Sequence, residues 1–130
     1  MAHLMQRLKT RPQFQAVLGG LLIAKTSHFA LHRAELDARN TSEAPALFLT
    51  KVAWIGAMVP KRWAKRAVTR TAIKRQIYNV SASLSSLFPQ AAFLVRLRYE
   101  FSRKEFPSAS SVALKNAVRA ELLVLMKAIK

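Results

Sequence analysis

Apolar residues recur along this chain with two periods, and each switch between them marks an element boundary. Phe14, Val17, Leu18 and Leu21 follow one another at helical spacing. Thr10 stands three residues before Gln13 in the form of a capping box, so a short helix starts there and Gly19-Gly20 ends it. From Lys25 to Leu36 the pattern changes to period two, with His28, Ala30 and His32 on one side and Phe29 and Leu31 on the other. That alternation predicts a strand. Asp37 to Pro45 is polar and aperiodic, a loop. Ala46 to Val59 reads as the next strand, its last eight residues almost wholly apolar, with Gly56 marking a bulge or the close approach of another backbone.

Pro60 breaks that strand. Beyond it Ile73, Ile77, Val80 and Leu84 return at spacings of four, three and four, one face of a helix that runs from near Ala67 to about Leu87 and stops before Pro89. Its later half, Ser81 to Ser86, is a weak helix former and predicts fraying. Ala91 to Tyr99 is again a strand, in which Phe93, Val95 and Leu97 oppose Leu94, Arg96 and Arg98. Pro107 and the serines at 108, 110 and 111 lead into a last helix with Leu114, Val118, Leu122, Leu125 and Ile129 as its buried stripe and Lys115, Arg119 and Lys127 outside. Met1 to Lys9 reads as a flexible, basic lead-in. The whole is one α+β domain of 130 residues, its helices on one face of a small sheet whose other face is partly open.

Charge changes the picture most in the middle of the chain. There are 22 Lys and Arg against 6 Asp and Glu, a net charge of +16. Between Glu43 and Glu100 there is no acid at all, while Lys51, Lys61, Arg62, Lys65, Arg66, Arg70, Lys74, Arg75, Arg96 and Arg98 are all positive. Like charges gathered without counter-charges oppose compaction, so a polyanionic partner is expected to complete the balance. At ~100° per residue, Arg70, Thr71, Lys74, Arg75 and Tyr78 share an arc of about 140° beside the apolar stripe. Lys61 to Arg66 form a basic loop leading into the helix. Nucleic acid fits better than an anionic membrane, because the strands on either side can bury the helix's apolar face. No apolar run approaches the ~18–20 residues needed to span a bilayer. Arg7, Lys9 and Arg11 interrupt the N-terminus where a signal peptide would be apolar. A soluble, cytoplasmic protein is expected.

Catalytic chemistry has little to work with. The six carboxylates are scattered, whereas a two-metal nuclease needs them clustered. Three glycines leave no phosphate-cradling loop, and the absence of Cys removes disulfides and thiolate metal sites. His28 and His32 share a predicted strand face without a third ligand, and two polar residues on an exposed sheet are the simpler reading. For binding, Arg and Lys neutralise phosphates, while Phe14, Phe29, His32, Trp63 and Tyr78 are candidates to stack on unpaired bases. For the phenylalanines, core packing is an equal alternative. Trp63, inside the basic loop, is harder to explain as core.

Together these residues resemble the protein subunit of bacterial ribonuclease P. The likeness lies in a strand (Val52–Val59), a basic pair (Lys61-Arg62), a short basic loop to Arg66, and a helix opening Ala67-Val-Thr-Arg-Thr-Ala-Ile-Lys-Arg75. It extends over nearly the whole chain. Where the family has Arg-Asn-Arg, this sequence has Arg70-Thr71-Ala72, one cation and one amide fewer.

The resemblance implies a mixed four-stranded sheet in the order α-β-β-β-α-β-α, like that of a ribosomal-protein domain, with a left-handed crossover around the central helix. It also implies a protein without catalytic residues, partnered by a catalytic RNA that uses magnesium to cut precursor tRNA at the mature 5′ end, with no obligate protein partner. Lys61, Arg62, Lys65, Arg66, Arg70, Thr71, Lys74 and Arg75 would hold the catalytic RNA. Phe14, Leu18, Phe29 and His32 would line a groove for the single-stranded 5′ leader, to which strand alternation adds Arg96 and Arg98. The family often carries aromatics at the positions of Leu18 and His32, which implies weaker stacking here. A general RNA-binding or ribosomal protein shares the charge but predicts no stimulated processing. A self-sufficient nuclease or a membrane-surface protein fits less well.

Overall fold

The structure is a computed structural model, and it describes residues 5–36, 48, 50–102, 106 and 112–129. In chain order the elements are β1 (Met5–Arg7), α1 (Arg11–Leu18), β2 (Leu21–Lys25), β3 (Phe29–Ala34), β4 (Ala53–Met58), α2 (Ala67–Ser83), β5 (Ala92–Leu97) and α3 (Val112–Met126). The strands make one mixed sheet in the order β1-β4-β5-β3-β2. β1 and β5 run parallel to β4, while β3 runs antiparallel to β5 and to β2. The chain between β4 and β5 is thus a crossover containing α2, as the two strands flanking the central helix required.

The expected α+β class holds, with three differences. First, the sheet has five strands rather than four, because Met5–Arg7 pairs with Ala53–Ile55 instead of lying in a flexible lead-in. Second, Lys25–Leu36 is not one strand. Thr26 turns the chain, its N–H donating to the Phe29 carbonyl, and Leu21–Lys25 is the preceding strand of a hairpin with a bulge between Leu22 and Ala24. Third, the helices do not share a face. α2 and α3 cover one side of the sheet and α1 lies on the other. The predicted loop at 37–45, the start of the strand at 46–47 and the approach to the last helix at 107–111 lie outside the described residues, while residues 50–52 form bends, so β4 begins at Ala53 rather than Ala46.

Period-two alternation sorts the strands between two cores. Phe29, Leu31, Ile55, Ala57, Phe93, Val95 and Leu97 point under α2 and α3, where they meet Ile73, Ile77, Val80, Leu114, Val118, Leu122 and Leu125. Trp54, Ala92, Leu94 and Ala34 point the other way and pack with Leu8, Val17 and Phe48. α1 is anchored as its sequence specifies: the Gln13 N–H donates to Thr10 Oγ1, and Gln13 Oε1 accepts from the Thr10 and Lys9 amides. Gly56 makes room for Leu8 and for Phe14 of α1, since a Cβ there would lie 2.5 Å from Leu8 Cδ1 and 3.0 Å from Phe14 Cε1. α2 ends at Ser83 rather than Leu87, passing into a 3₁₀ turn at Ser85–Leu87. Ser81 and Ser83 hydroxyls donate back to the Ile77 and Val80 carbonyls, the local competition that makes serine a poor helix residue.

The β2–β3 turn is tied to α3 through one carboxylate. Glu121 accepts from the Thr26 hydroxyl at 2.6 Å, the His28 amide at 2.8 Å and His28 Nδ1 at 2.8 Å. Removing it orphans three donors on two half-buried residues. Glu121→Ala should therefore lower unfolding free energy by about 2–4 kcal/mol in urea denaturation, with the m-value unchanged. Glu121→Gln, which keeps an acceptor, should lose less than half of that. Equal losses for the two variants would show that the bonds are not what holds the turn.

Candidate nucleic-acid interface

The basic segment folds into a turn and the first half of a helix, both pinned from within. The Trp63 and Ala64 amides donate to the Pro60 carbonyl, and Ala64 is buried. α2 then starts at Ala67 with Arg66 at its N-cap and no side-chain cap. Ile73, Ile77 and Val80 are buried as their spacing required, so the intervening positions face out. Lys61, Arg62, Lys65, Arg66, Thr71, Lys74 and Arg75 are all exposed. Arg70 is different. Its Nη1 donates to the carbonyls of Ala64 and Lys65, both at 2.9 Å, so this guanidinium braces the loop against the helix.

Among the described residues none of these cations is paired with a carboxylate. Among the described residues the ion pairs are His28–Glu121 at 2.8 Å and Arg33–Glu35 at 3.5 Å, and neither involves residues 61–75. Tyr78, on the same arc, is committed to the fold: its hydroxyl accepts from the Ala57 amide, and Arg7 lies over its ring at 4.0 Å. Trp63, a stacking candidate that is hard to explain as core from the sequence, packs half-buried against the core with its ring 5.4 Å from Tyr99. That tryptophan lies at the edge of the core.

On the opposite face of the sheet the expected groove residues separate. Phe14 is half-buried with its ring over Gly56, and Leu18, at the end of α1, is 38% exposed. Phe29 does not belong there. It is 0% exposed and sits in the core beneath α2 and α3, on the side that period-two alternation assigns it. His32 faces the groove side, opposite Leu22 on β2 and Leu94 on β5, but is only 7% exposed. Its Nε2 accepts from Arg96 Nε at 3.3 Å. Burial, and secondarily the Arg96 guanidinium, hold the imidazole pKa below its ordinary 6.5. Arg98 is turned aside, its Nη1 donating to the Thr26 and Ser27 carbonyls. His28 and His32 do not share a face either, since His28 stacks on Phe101 at 3.9 Å and bonds to α3. Leu22, 44% exposed on the same face as His32, is a surface residue of this face that the sequence did not reveal, because a continuous strand from Lys25 left it outside the sheet.

The comparisons with known proteins agree with one another. The profile of the family described as Ribonuclease P matches residues 3–121. The chain belongs to that family. Its relatives include the ribonuclease P protein component of Ralstonia pickettii, 29% identical over 93% of this chain and 76% of that protein. The Bordetella parapertussis component is 31% identical over 89% and 85%. In fold, the chain resembles the Staphylococcus aureus ribonuclease P protein, with a TM-score of 0.65 and 20% identity over 93% of this chain and 92% of that one. The Thermotoga maritima protein gives 0.66 and 19% over 96% and 98%. The departure of this ribonuclease P family member from the family's Arg-Asn-Arg falls on exposed Thr71 and half-buried Ala72.

The geometry separates two kinds of arginine and lysine. Arg70→Ala should loosen the basic loop itself, raising amide hydrogen exchange at Trp63 and Ala64 by about tenfold, the loss of roughly one hydrogen bond's stabilisation. Lys74→Ala should leave those amides unchanged. If both variants left exchange at wild-type rates, the brace would be a surface contact without consequence.

Proposed function

We propose that this chain is the protein subunit of a ribonuclease P ribonucleoprotein. In this reading the 130 residues act as one RNA-binding domain with no catalytic residue of its own. The exposed cations of the loop and α2 hold the catalytic RNA. The α1 face of the sheet receives the single-stranded 5′ leader of precursor tRNA, and cleavage yields the mature 5′ end. The observation that carries the proposal is the cationic surface at 61–75, without an ion pair among the described residues, joined to membership of the family.

The division of chemistry follows from what the side chains offer. Exposed lysines and arginines release counterions when they meet phosphates, which makes affinity strong and salt-dependent. Placed between two RNAs, they also screen the repulsion that a substrate helix meets at a ribozyme surface. Among the described residues no group of three or more His, Cys, Asp or Glu is placed to hold a metal ion. The magnesium of the proposed reaction is assigned to the phosphates of the catalytic RNA. No helix among the described residues is long and apolar enough to cross a membrane, and the proposed setting is the cytoplasm.

Reconstitution tests the proposal. Added to a bacterial ribonuclease P RNA at low magnesium, the protein should stimulate cleavage of precursor tRNA, and absence of stimulation across several leader lengths would overturn the reading. Phe14→Ala should weaken binding of leader-bearing precursor about tenfold, within the ~1–3 kcal/mol of one base–aromatic stack, and leave mature tRNA binding unchanged. Equal losses for precursor and mature tRNA would remove Phe14 from the leader groove.

A further inference from the structure

Where the leader groove would offer a stacking ring at residue 32, the structure holds a buried hydrogen-bond acceptor. At 7% exposure His32 has no ring face to give to a base. Its Nε2 receives the Nε–H of Arg96, which lies half-buried on the same face of β5. An imidazole that accepts at Nε2 carries its proton at Nδ1. That Nδ1 is buried and meets no partner among the described residues. A buried donor left unpaired is destabilising, and an apolar ring of similar size would avoid it. The arrangement makes sense if what the site uses is the lone pair on the other nitrogen.

We propose that His32 is a positioning residue: by accepting from Nε it fixes the Arg96 guanidinium in the plane that turns both terminal nitrogens toward the groove, where they grip a leader phosphate. The inference rests on the leader-groove reading and deepens it, exchanging base stacking at this position for a charge-assisted phosphate contact. An arginine suits the task because its rigid fork meets two phosphate oxygens at once, and anchoring one edge removes the freedom it would otherwise lose on binding. Among the described residues the surroundings supply no competitor. The charged groups on the elements packed around His32 are Arg96 and Arg98 of β5, Lys25 of β2 and Arg11 of α1, while Glu35, past the end of β3, is paired with Arg33. Arg98 spends its Nη1 on the Thr26 and Ser27 carbonyls, which leaves Arg96 as the arginine of β5 that can reach a ligand. Met58 and Ala30 lie on either side of Arg96 in the same row of the sheet and offer it no acceptor side chain.

Two measurements test this. In the free protein, imidazole ¹⁵N shifts of His32 at pH 7.5 should show Nδ1 protonated and Nε2 bare. The opposite tautomer, or an imidazolium, would overturn the pairing without recourse to any variant. In the reconstituted holoenzyme, the quantity to follow is the ratio of affinities for leader-bearing and leaderless substrate. Arg96→Ala should reduce that ratio about fivefold and lower the salt slope of precursor binding by about 0.7, the value for one single-strand phosphate. His32→Phe should reproduce most of the loss, His32→Gln should retain most of the wild-type ratio, and His32→Phe with Arg96→Ala should be no worse than Arg96→Ala alone. A wild-type ratio in His32→Phe, or losses that add in the double variant, would overturn the positioning role. A wild-type protein that does not distinguish leader-bearing from leaderless substrate would instead sink the groove reading on which it rests.

Discussion

Seven like charges within fifteen residues repel one another, three on α2 and four in the turn that leads into it, and the fold holds them together by burying the other side of that helix. The magnitudes favour burial. Ile73, Ile77 and Val80 are each removed almost completely from water, worth about 1.5–3 kcal/mol apiece as an upper estimate. Exposed cations about 6 Å apart repel by roughly 0.7 kcal/mol or less per pair in water, and salt weakens that further. α2 can therefore carry a cationic face without neutralisation as long as its apolar face stays on the sheet. The parallel β4–β5 pair keeps it there, because the crossover between them has to pass over that face.

The same packing separates two surfaces. α2 and α3 occupy one side of the sheet and α1 the other, so the cations of the basic segment and the residues around α1 do not compete for space. Between them the sheet is a rigid spacer, with Phe93 and Leu94 of β5 buried toward opposite sides. Several aromatic and cationic residues that look available in sequence are spent on this scaffold. Tyr78 accepts the Ala57 amide that β1 is too short to reach, Arg98 ties down the β2–β3 turn, and Arg70 braces the loop. What remains for a ligand is a smaller set than the charge count suggests.

Local signals were the ones legible in the sequence. The Thr10–Gln13 capping box, the Ala67 start of α2 and the stripe of α3 from Leu114 to Leu125 all depend on residues within a turn or two of one another. β1 was not legible, because three residues pairing in parallel with a strand some fifty positions away leave no nearby mark. The turn at Thr26 was missed for a related reason: it contains neither Gly nor Pro, and Glu121 of α3 supplies its hydrogen bonds from far along the chain. In the candidate site, alternation had already put Phe29 and His32 on opposite faces. Residue-by-residue carry-over from the family placed both in one groove, and burial shows that alternation was the better guide. The commitment of Arg70 to two backbone carbonyls had no signature at all, since nothing in the order of residues says where a long side chain turns.

The central claim is that the sheet separates two RNA-binding surfaces, one on each face, for two different RNAs. Site-specific photo-crosslinking within the assembled holoenzyme tests it most directly, with a photoreactive side chain placed at residue 74 on α2 or at residue 18 at the end of α1. The account predicts that position 74 captures the catalytic RNA and position 18 the 5′ leader of the precursor. Capture of the same RNA from both positions would contradict it.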